Sequence, residues 1–256
     1  NTKISLWWTH DLALKRFLPG IAAQAWNMDG ILTVSEFHKD QVAEVYGYKK
    51  ELIHVLRNGV DLDLYKRTIS LEKKTGSKTL LYSSRPERGL ENLVKPGGIM
   101  ESLFIADPEI RLVITGYDNT VAGMAPYYQY LDELCQGSPN VTVFPPQGKE
   151  ALAQIMQGTW LHVYPTEFEE VSCITAMEAQ AAGTPILTTP LAALPETLAG
   201  AGEVFIPQLT EKGKKPEGID VDAYVKTILE LRDNPEKWGG LRKTALHKAQ
   251  EYTWEN

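Results

Sequence analysis

The sequence predicts an α/β protein: a doubly wound parallel sheet, preceded by part of a second, smaller one and followed by terminal helices. Three observations carry this. Short apolar, β-rich runs alternate with longer amphipathic or small-residue runs along the whole chain, the pattern of repeated βαβ units. The 256 residues, 43% hydrophobic and 23% charged, have the balance of a globular protein large enough for one large or two small domains. A polar stretch, Lys66–Lys78, interrupts the alternation and divides the chain unequally, with three strand–helix units before it and about six strands after it.

In chain order, strands are expected at Ile4–Trp8, Gly30–Val34 and Ile53–Leu56, with helices at Leu12–Trp26 and Glu36–Tyr46 between them. Beyond the polar stretch come strands at Thr79–Ser83, Ile110–Thr115, Val141–Phe144, Leu161–Tyr164, Pro185–Thr189 and Glu203–Ile206. Helices are expected at Leu90–Ala106, Met124–Gln136, Lys149–Met156, Ser172–Ala182 and Pro195–Ala199. Pro96-Gly97-Gly98 should break the first of these. The last forty residues carry no strand signal and read as helices near Val221–Asp233 and Pro235–Tyr252. The implied domains are 1–66, a linker at 67–78, a second domain at 79–233, and a terminal helix at 234–256 packing back across the cleft. Because Asn1 stands directly before a strand, the start of the first domain is expected to lie outside this sequence.

Composition removes several classes of function. With 26 Lys and Arg against 33 Asp and Glu, the net charge is −7, and no basic stripe suits nucleic acid. Cys135 and Cys173 form neither a CxxC pair nor a disulfide framework, and no histidine stands at metal-ligand spacing from them. A cytoplasmic chain that needs no metal is expected. No apolar run approaches the ~20 residues of a membrane span. There is neither a GxGxxG nor a Walker sequence, so hydride transfer and ATP hydrolysis have no support.

Two segments carry the chemistry. From Val163 to Pro185 a strand ends, an acidic loop follows, and Ser172 can cap a helix that Gly183 and Pro185 terminate. In doubly wound sheets ligands bind beyond the carboxyl ends of strands, where helix N-termini offer free N–H groups to anions. Glu178 is the lone charge on that helix, about 9 Å along the axis from Ser172 at ~1.5 Å per residue, and Glu170 stands just before it. Two acids bracketing an anion site suit a ligand with hydroxyls at both ends and a diphosphate between, such as a nucleotide sugar. The alternative is a solvated trio, Glu167, Glu169 and Glu170, with Glu178 paired to a structural base. The second segment, Tyr82–Leu90, places Arg85 and Arg88 on a tight loop beside Gly89. Such cations neutralise diphosphate oxygens, or else pair at the surface with Glu87 or Glu91.

Together these segments resemble the C-terminal half of retaining glycosyltransferases of family 4, which have the GT-B fold of two facing Rossmann-like domains. The family's E-x7-E signature is met by Glu170 and Glu178. Further matches are Trp8-Thr9-His10-Asp11, Val34-Ser35, Asn58-Gly59-Val60-Asp61 and Leu194-Pro195-Glu196. The resemblance covers about residues 4 to 207. It implies that Arg85 or Arg88 holds the donor diphosphate, with Arg88 standing where the family usually has Lys. It further implies that Glu178 binds ribose, that Glu170 binds the donor sugar, and that His10 contacts that sugar from the opposite domain. The backbone N–H groups of Val171, Ser172 and Cys173 would face the phosphate or sugar. The Arg85–Arg88 spacing is shorter than the commoner one and resembles a subgroup with a Ser-Ser-x-Pro-x-Arg-Gly-Leu loop. The family's glycine-rich N-terminal loop and first strands have no counterpart here.

The expected activity is therefore transfer of a sugar from a nucleotide-diphosphate sugar, with retention of anomeric configuration and without a cofactor or metal. Its catalytic groups would be His10, Glu170 and Arg88. Acceptors would be saccharide, lipid-linked or protein. Lys15 and Arg16 allow peripheral contact with anionic lipid. The rival expectation is a sugar-nucleotide-binding module that needs a partner chain. His54 and His162 are expected to be structural, satisfied core or interface histidines, and Cys173 a small buried residue.

Overall fold

The computed structural model describes residues 3–25, 27–66, 70–117, 121–199, 204–205 and 218–254. The smaller part runs β1 (Leu6–Trp8), α1 (Leu18–Ala25), β2 (Gly30–Thr33), α2 (Glu36–Tyr46) and β3 (Ile53–Val55). Its strands form a parallel sheet in the order β1-β2-β3. Ser35 caps α2 by accepting the amide of His38, and Gly47 ends it at a φ of 71°. Ile31, Ile53, Val42 and Tyr46 make a small core between sheet and helix. The other face of this sheet, with Leu6 and Trp8, is exposed.

A one-turn 3-10 segment at Leu62–Tyr65 and α3 (Leu71–Gly76) lead into the larger part. It comprises β4 (Thr79–Tyr82), α4 (Leu90–Val94), α5 (Ile99–Ala106), β5 (Arg111–Thr115), α6 (Ala125–Gly137), β6 (Val141–Phe144) and α7 (Lys149–Gly158). There follow β7 (Leu161–Tyr164), α8 (Ile174–Ala181), β8 (Ile186–Thr188), α9 (Leu194–Leu198), β9 (Val204–Phe205), α10 (Val221–Asp233) and α11 (Pro235–Ala249). The parallel six-stranded sheet has the order β6-β5-β4-β7-β8-β9. Succession runs outward one way from β4 and the other way from β7, so the topological switch point lies between those two strands. All four residues of β7 are buried, as a central parallel strand covered on both faces requires. The core gathers Tyr82, Leu93, Trp160, Tyr164, Ile228 and Trp238, with the Trp238 indole donating to the carbonyl of Trp160 at 3.1 Å. Each such side chain withdrawn from water contributes roughly 1.5–3 kcal/mol.

The parallel α/β class and its Rossmann-like sheets are as expected, and all nine strands appear near their expected bounds. The break at Pro96-Gly97-Gly98 is present, separating α4 from α5. Four local differences stand out. Leu12–Trp26 is not one helix: a 3-10 turn at Lys15–Phe17 precedes α1, because Ala13 and Leu14 give their amides to the Gln41 and Tyr46 side chains of α2. Trp26 lies outside the described residues, as do 67–69 of the expected linker and Glu203 and Ile206 of the last expected strand. That linker is partly helical. Ser70 caps α3, and the fully buried Lys74 ammonium donates to the carbonyls of Ala182 and Gly183 and the hydroxyl of Thr184, at the C-terminal end of α8. Burial and the charge of Arg242 draw the Lys74 pKa down to about 7. Ser172 does not cap α8: Cys173 occupies the cap position without a side-chain hydrogen bond, and the Ser172 hydroxyl accepts from Asn58 instead. His54 is exposed, not a core histidine. His162 is buried and bonded to Ser83.

The two parts meet along several ties. Asn58 Nδ2 donates to Ser172 Oγ at 3.0 Å, and Val60 donates its amide to the carbonyl of Tyr252 at 2.6 Å, beyond α11. The ring of Trp254 lies against Gly59 so closely that a Cβ there would sit 2.6 Å from it.

Candidate donor cleft

Between the two sheets, at the carboxyl ends of their strands, opens a cleft of about 500 Å³ lined by His10, Asn58, Arg88, Glu170, Val171 and Ser172 among others. Its floor is the switch point: Arg88 follows β4 and Glu170 follows β7.

The loop carrying Arg88 is shaped by Gly89. Its φ is +116°, and a Cβ there would lie 2.3 Å from the Pro165 carbonyl oxygen, so only glycine lets the loop close against the end of β7. That closure brings Arg88 Nη1 to 2.9 Å from Glu170 Oε1 and sets its guanidinium over the Phe168 ring, 3.9 Å from the centroid. The Tyr164 hydroxyl donates to the same carboxylate oxygen. Burial alone disfavours the Arg88 cation, yet the Glu170 charge beside it prevails and holds it protonated more firmly than usual. Burial, with the Glu170 charge, raises the Tyr164 hydroxyl well above its ordinary value, so it stays a donor. Glu170 is thus buried but satisfied, as a desolvated carboxylate must be.

His10 enters from the smaller part, its ring 4.6 Å from that of Trp8. Its loop is held from α2: His38 Nε2 donates to the Asp11 carbonyl at 3.0 Å. Burial lowers the His38 pKa to about 4, and the neutral ring can then also accept the Val34 amide at Nδ1, 3.5 Å away.

The cleft brings together five of the residues singled out from the sequence: His10, Arg88, Glu170, Val171 and Ser172. Three others stand outside its lining. Arg85 pairs with Glu87, Nε to Oε1 2.7 Å, both side chains being largely buried. Cys173 is buried behind the loop, and burial followed by the Glu170 charge raises its thiol far above the ordinary value, leaving no nucleophile. Glu178, buried on α8, meets the mostly exposed Lys149 at the start of α7. Sequence reasoning missed Lys149, Tyr164, Phe168 and the Asn58 contact. Only Asn58 and Lys149 carried a signal, the first within Asn58-Gly59-Val60-Asp61, the second as a cation after Gly148 where a helix begins beyond a strand. Among the described residues no cluster of His, Cys, Asp and Glu is arranged to hold a metal ion, and no helix is long and apolar enough to cross a membrane.

Known proteins share this architecture. D-inositol 3-phosphate glycosyltransferase 1 of Catenulispora acidiphila is 27% identical over 230 residues, which are 84% of this chain and 51% of that protein. The D-inositol 3-phosphate glycosyltransferase of Mycolicibacterium smegmatis is 25% identical over 240 residues, 88% and 50% of the two chains. The chain thus spans about half the length of these curated relatives. In three dimensions it superposes on Anabaena Alr3699/HepE, solved in complex with UDP and glucose, with a TM-score of 0.77 at 16% identity, covering 96% of this chain and 67% of that one. Sucrose-phosphate synthase from Thermosynechococcus elongatus gives a TM-score of 0.77 at 19% identity, covering 98% and 64%. These likenesses establish the GT-B type of fold. Residues 67–245, most of the chain, match the family described as glycosyl transferases group 1, and the chain belongs to that family.

Proposed function

We propose that the chain carries the donor site and one wall of the acceptor side of a retaining, family 4 glycosyltransferase that uses a nucleoside-diphosphate sugar. The observation that supports this best is the Arg88–Glu170 pair at the switch point, facing His10 across the cleft. Arg88 offers its remaining N–H groups to diphosphate oxygens, and the amides of Val171 and Ser172 before α8 offer more. Glu170 would hold hydroxyls of the donor sugar, and Glu178, with Lys149 at its side, those of the ribose. UDP is the diphosphate to try first, because the Anabaena structure holds it.

In this reading the bond from the anomeric carbon to the diphosphate oxygen breaks with its electron pair leaving on the diphosphate. The acceptor hydroxyl forms the new bond on the same face, and its proton passes to the departing phosphate oxygen. Arg88 neutralises the leaving group and His10 orients the sugar, so no side chain acts as a strong base. No metal or cofactor is required, since side-chain cations do the neutralising. The acceptor is a saccharide, a lipid-linked or a protein hydroxyl, and a cytoplasmic setting fits such a donor. A second reading, a donor-binding module completed by a partner chain, is favoured by the exposed face of the three-stranded sheet.

Titration of the purified chain with UDP, GDP and ADP tests the site, with one selective ligand expected. Glu178→Ala should weaken that ligand more than tenfold, about 1.4 kcal/mol; unchanged affinity would return Glu178 to a structural role. His10→Ala should leave diphosphate affinity intact and lower transfer by ~10² or more. EDTA should leave transfer unaltered. A wild-type chain that binds the diphosphate but never turns over would decide for the module.

A further inference from the structure

The Glu196 carboxylate on α9 reaches partners far away in sequence. Its oxygens accept the amides of Glu36, at 2.9 and 3.1 Å, and of Phe37, at 3.2 Å, the first two N–H groups of α2. Arg57 donates to it at 2.6 Å. These amides have no acceptor within their own helix, and a carboxylate there is held by both hydrogen bonds and the helix dipole. Glu196 thus fastens the amino end of a helix that belongs to the opposite sheet.

Each end of this fastening leads to one wall of the cleft. On the larger part, the amide of Ala193, which caps α9, donates to the Glu170 carbonyl at 2.9 Å. On the smaller part, α2 grips the His10 loop at three successive points: His38 on the Asp11 carbonyl, Gln41 on the Ala13 amide and Tyr46 on the Leu14 amide. Hydrogen bonds at either end, with α9 and α2 between them, therefore link the Glu170 loop to the His10 loop through Glu196. A surface ion pair with Arg57 alone would not need the carboxylate to sit on two backbone amides.

We propose that Glu196 is a positioning residue, holding the His10 loop in register with the donor site through α2. The proposal rests on reading His10 and Glu170 as facing one donor. The test is amide hydrogen exchange on the whole chain, wild type against Glu196→Ala, Glu196→Gln and Arg57→Ala. Glu196→Ala should speed exchange at Glu36 and Phe37 by about tenfold and at residues 11–14 by about threefold, with β4 and β7 unchanged and UDP affinity within twofold. Glu196→Gln, which keeps one acceptor and no charge, should raise exchange less in the same two segments, and Arg57→Ala least. In turnover, Glu196→Ala should lower kcat about tenfold with the donor KM nearly constant. Unchanged exchange at Glu36 and Phe37 overturns the proposal, and so does a rise there that leaves residues 11–14 as they were, since Glu196 would then only cap a helix. Failure of the wild-type chain to bind UDP would instead count against the donor reading and leave the exchange result standing.

Discussion

The two sheets solve the same packing problem to different degrees. In the six-stranded sheet, β7 and β8 are buried throughout and helices lie on both faces, so that half can bury a carboxylate at Glu170 against Arg88 and Tyr164 and seat the Lys74 amine on three oxygens. In the three-stranded sheet one face is backed by α1 and α2, while the other leaves Ile4, Leu6 and Trp8 at 74%, 51% and 43% exposure. Parallel sheets are ordinarily covered on both faces. Among its described residues the smaller half holds no comparable buried charge, and its cleft residue is placed by ties to other elements.

Three perturbations would break or sharpen that contrast. The largest effect is expected from Gly89→Ala, which forces both a disfavoured φ and a 2.3 Å contact with Pro165. It should cost about 3 kcal/mol or more and abolish diphosphate binding. Denaturant unfolding and calorimetry check this, and near-wild-type stability would show that the loop yields. Next comes Arg88→Met, which strands the buried Glu170 charge beside Tyr164. Denaturant unfolding should show a loss of roughly 2–4 kcal/mol; near-wild-type stability would mean that the pair contributes little to the fold. The smallest effect compares the halves directly. Burial lowers the pKa of His38 to about 4 and of His162 to about 3, against 6.5 in the unfolded chain. The unfolded state binds more protons, so the stability these groups confer is complete above pH 6.5 and is lost as pH falls toward 4 in the smaller half and toward 3 in the larger. Acid titration followed by residue-resolved exchange should therefore show residues 11–14 and β7 both losing protection as the pH falls from 6.5 to about 4.

Much of this was legible in the residues. Strands such as Leu161–Tyr164 announce themselves as short β-rich runs, interrupted here only by His162, and Pro96-Gly97-Gly98 breaks a helix in any setting. Glu170, Arg88 and His10 were legible because each follows a strand at a carboxyl end. What escaped depends on distant partners. Leu12–Leu14 have helical character, but side chains of α2 claim the amides of Ala13 and Leu14. Nothing local distinguishes Arg85, which pairs with Glu87, from Arg88, which turns inward over Phe168. The stretch at 70–76 reads as a polar connector because its purpose, a lysine seated under the end of α8, is written in residues more than a hundred positions away. Leu194-Pro195-Glu196 was visible as a motif, whereas its partners at Glu36 and Phe37 are backbone groups, which no sequence displays.

The seating of Lys74 changes how the two halves find one another. A free coil of twelve residues wanders over roughly 20 Å, and a cleft wall on such a leash would meet its counterpart at low effective concentration. With 70–76 helical and Lys74 lodged beneath α8, most of that range is removed before any ligand arrives. The smaller half is further held near Asn58–Asp61, where Trp254 and Tyr252 lean on the chain. Tethering this short raises the local concentration of His10 at the cleft by geometry alone, without a further contact there.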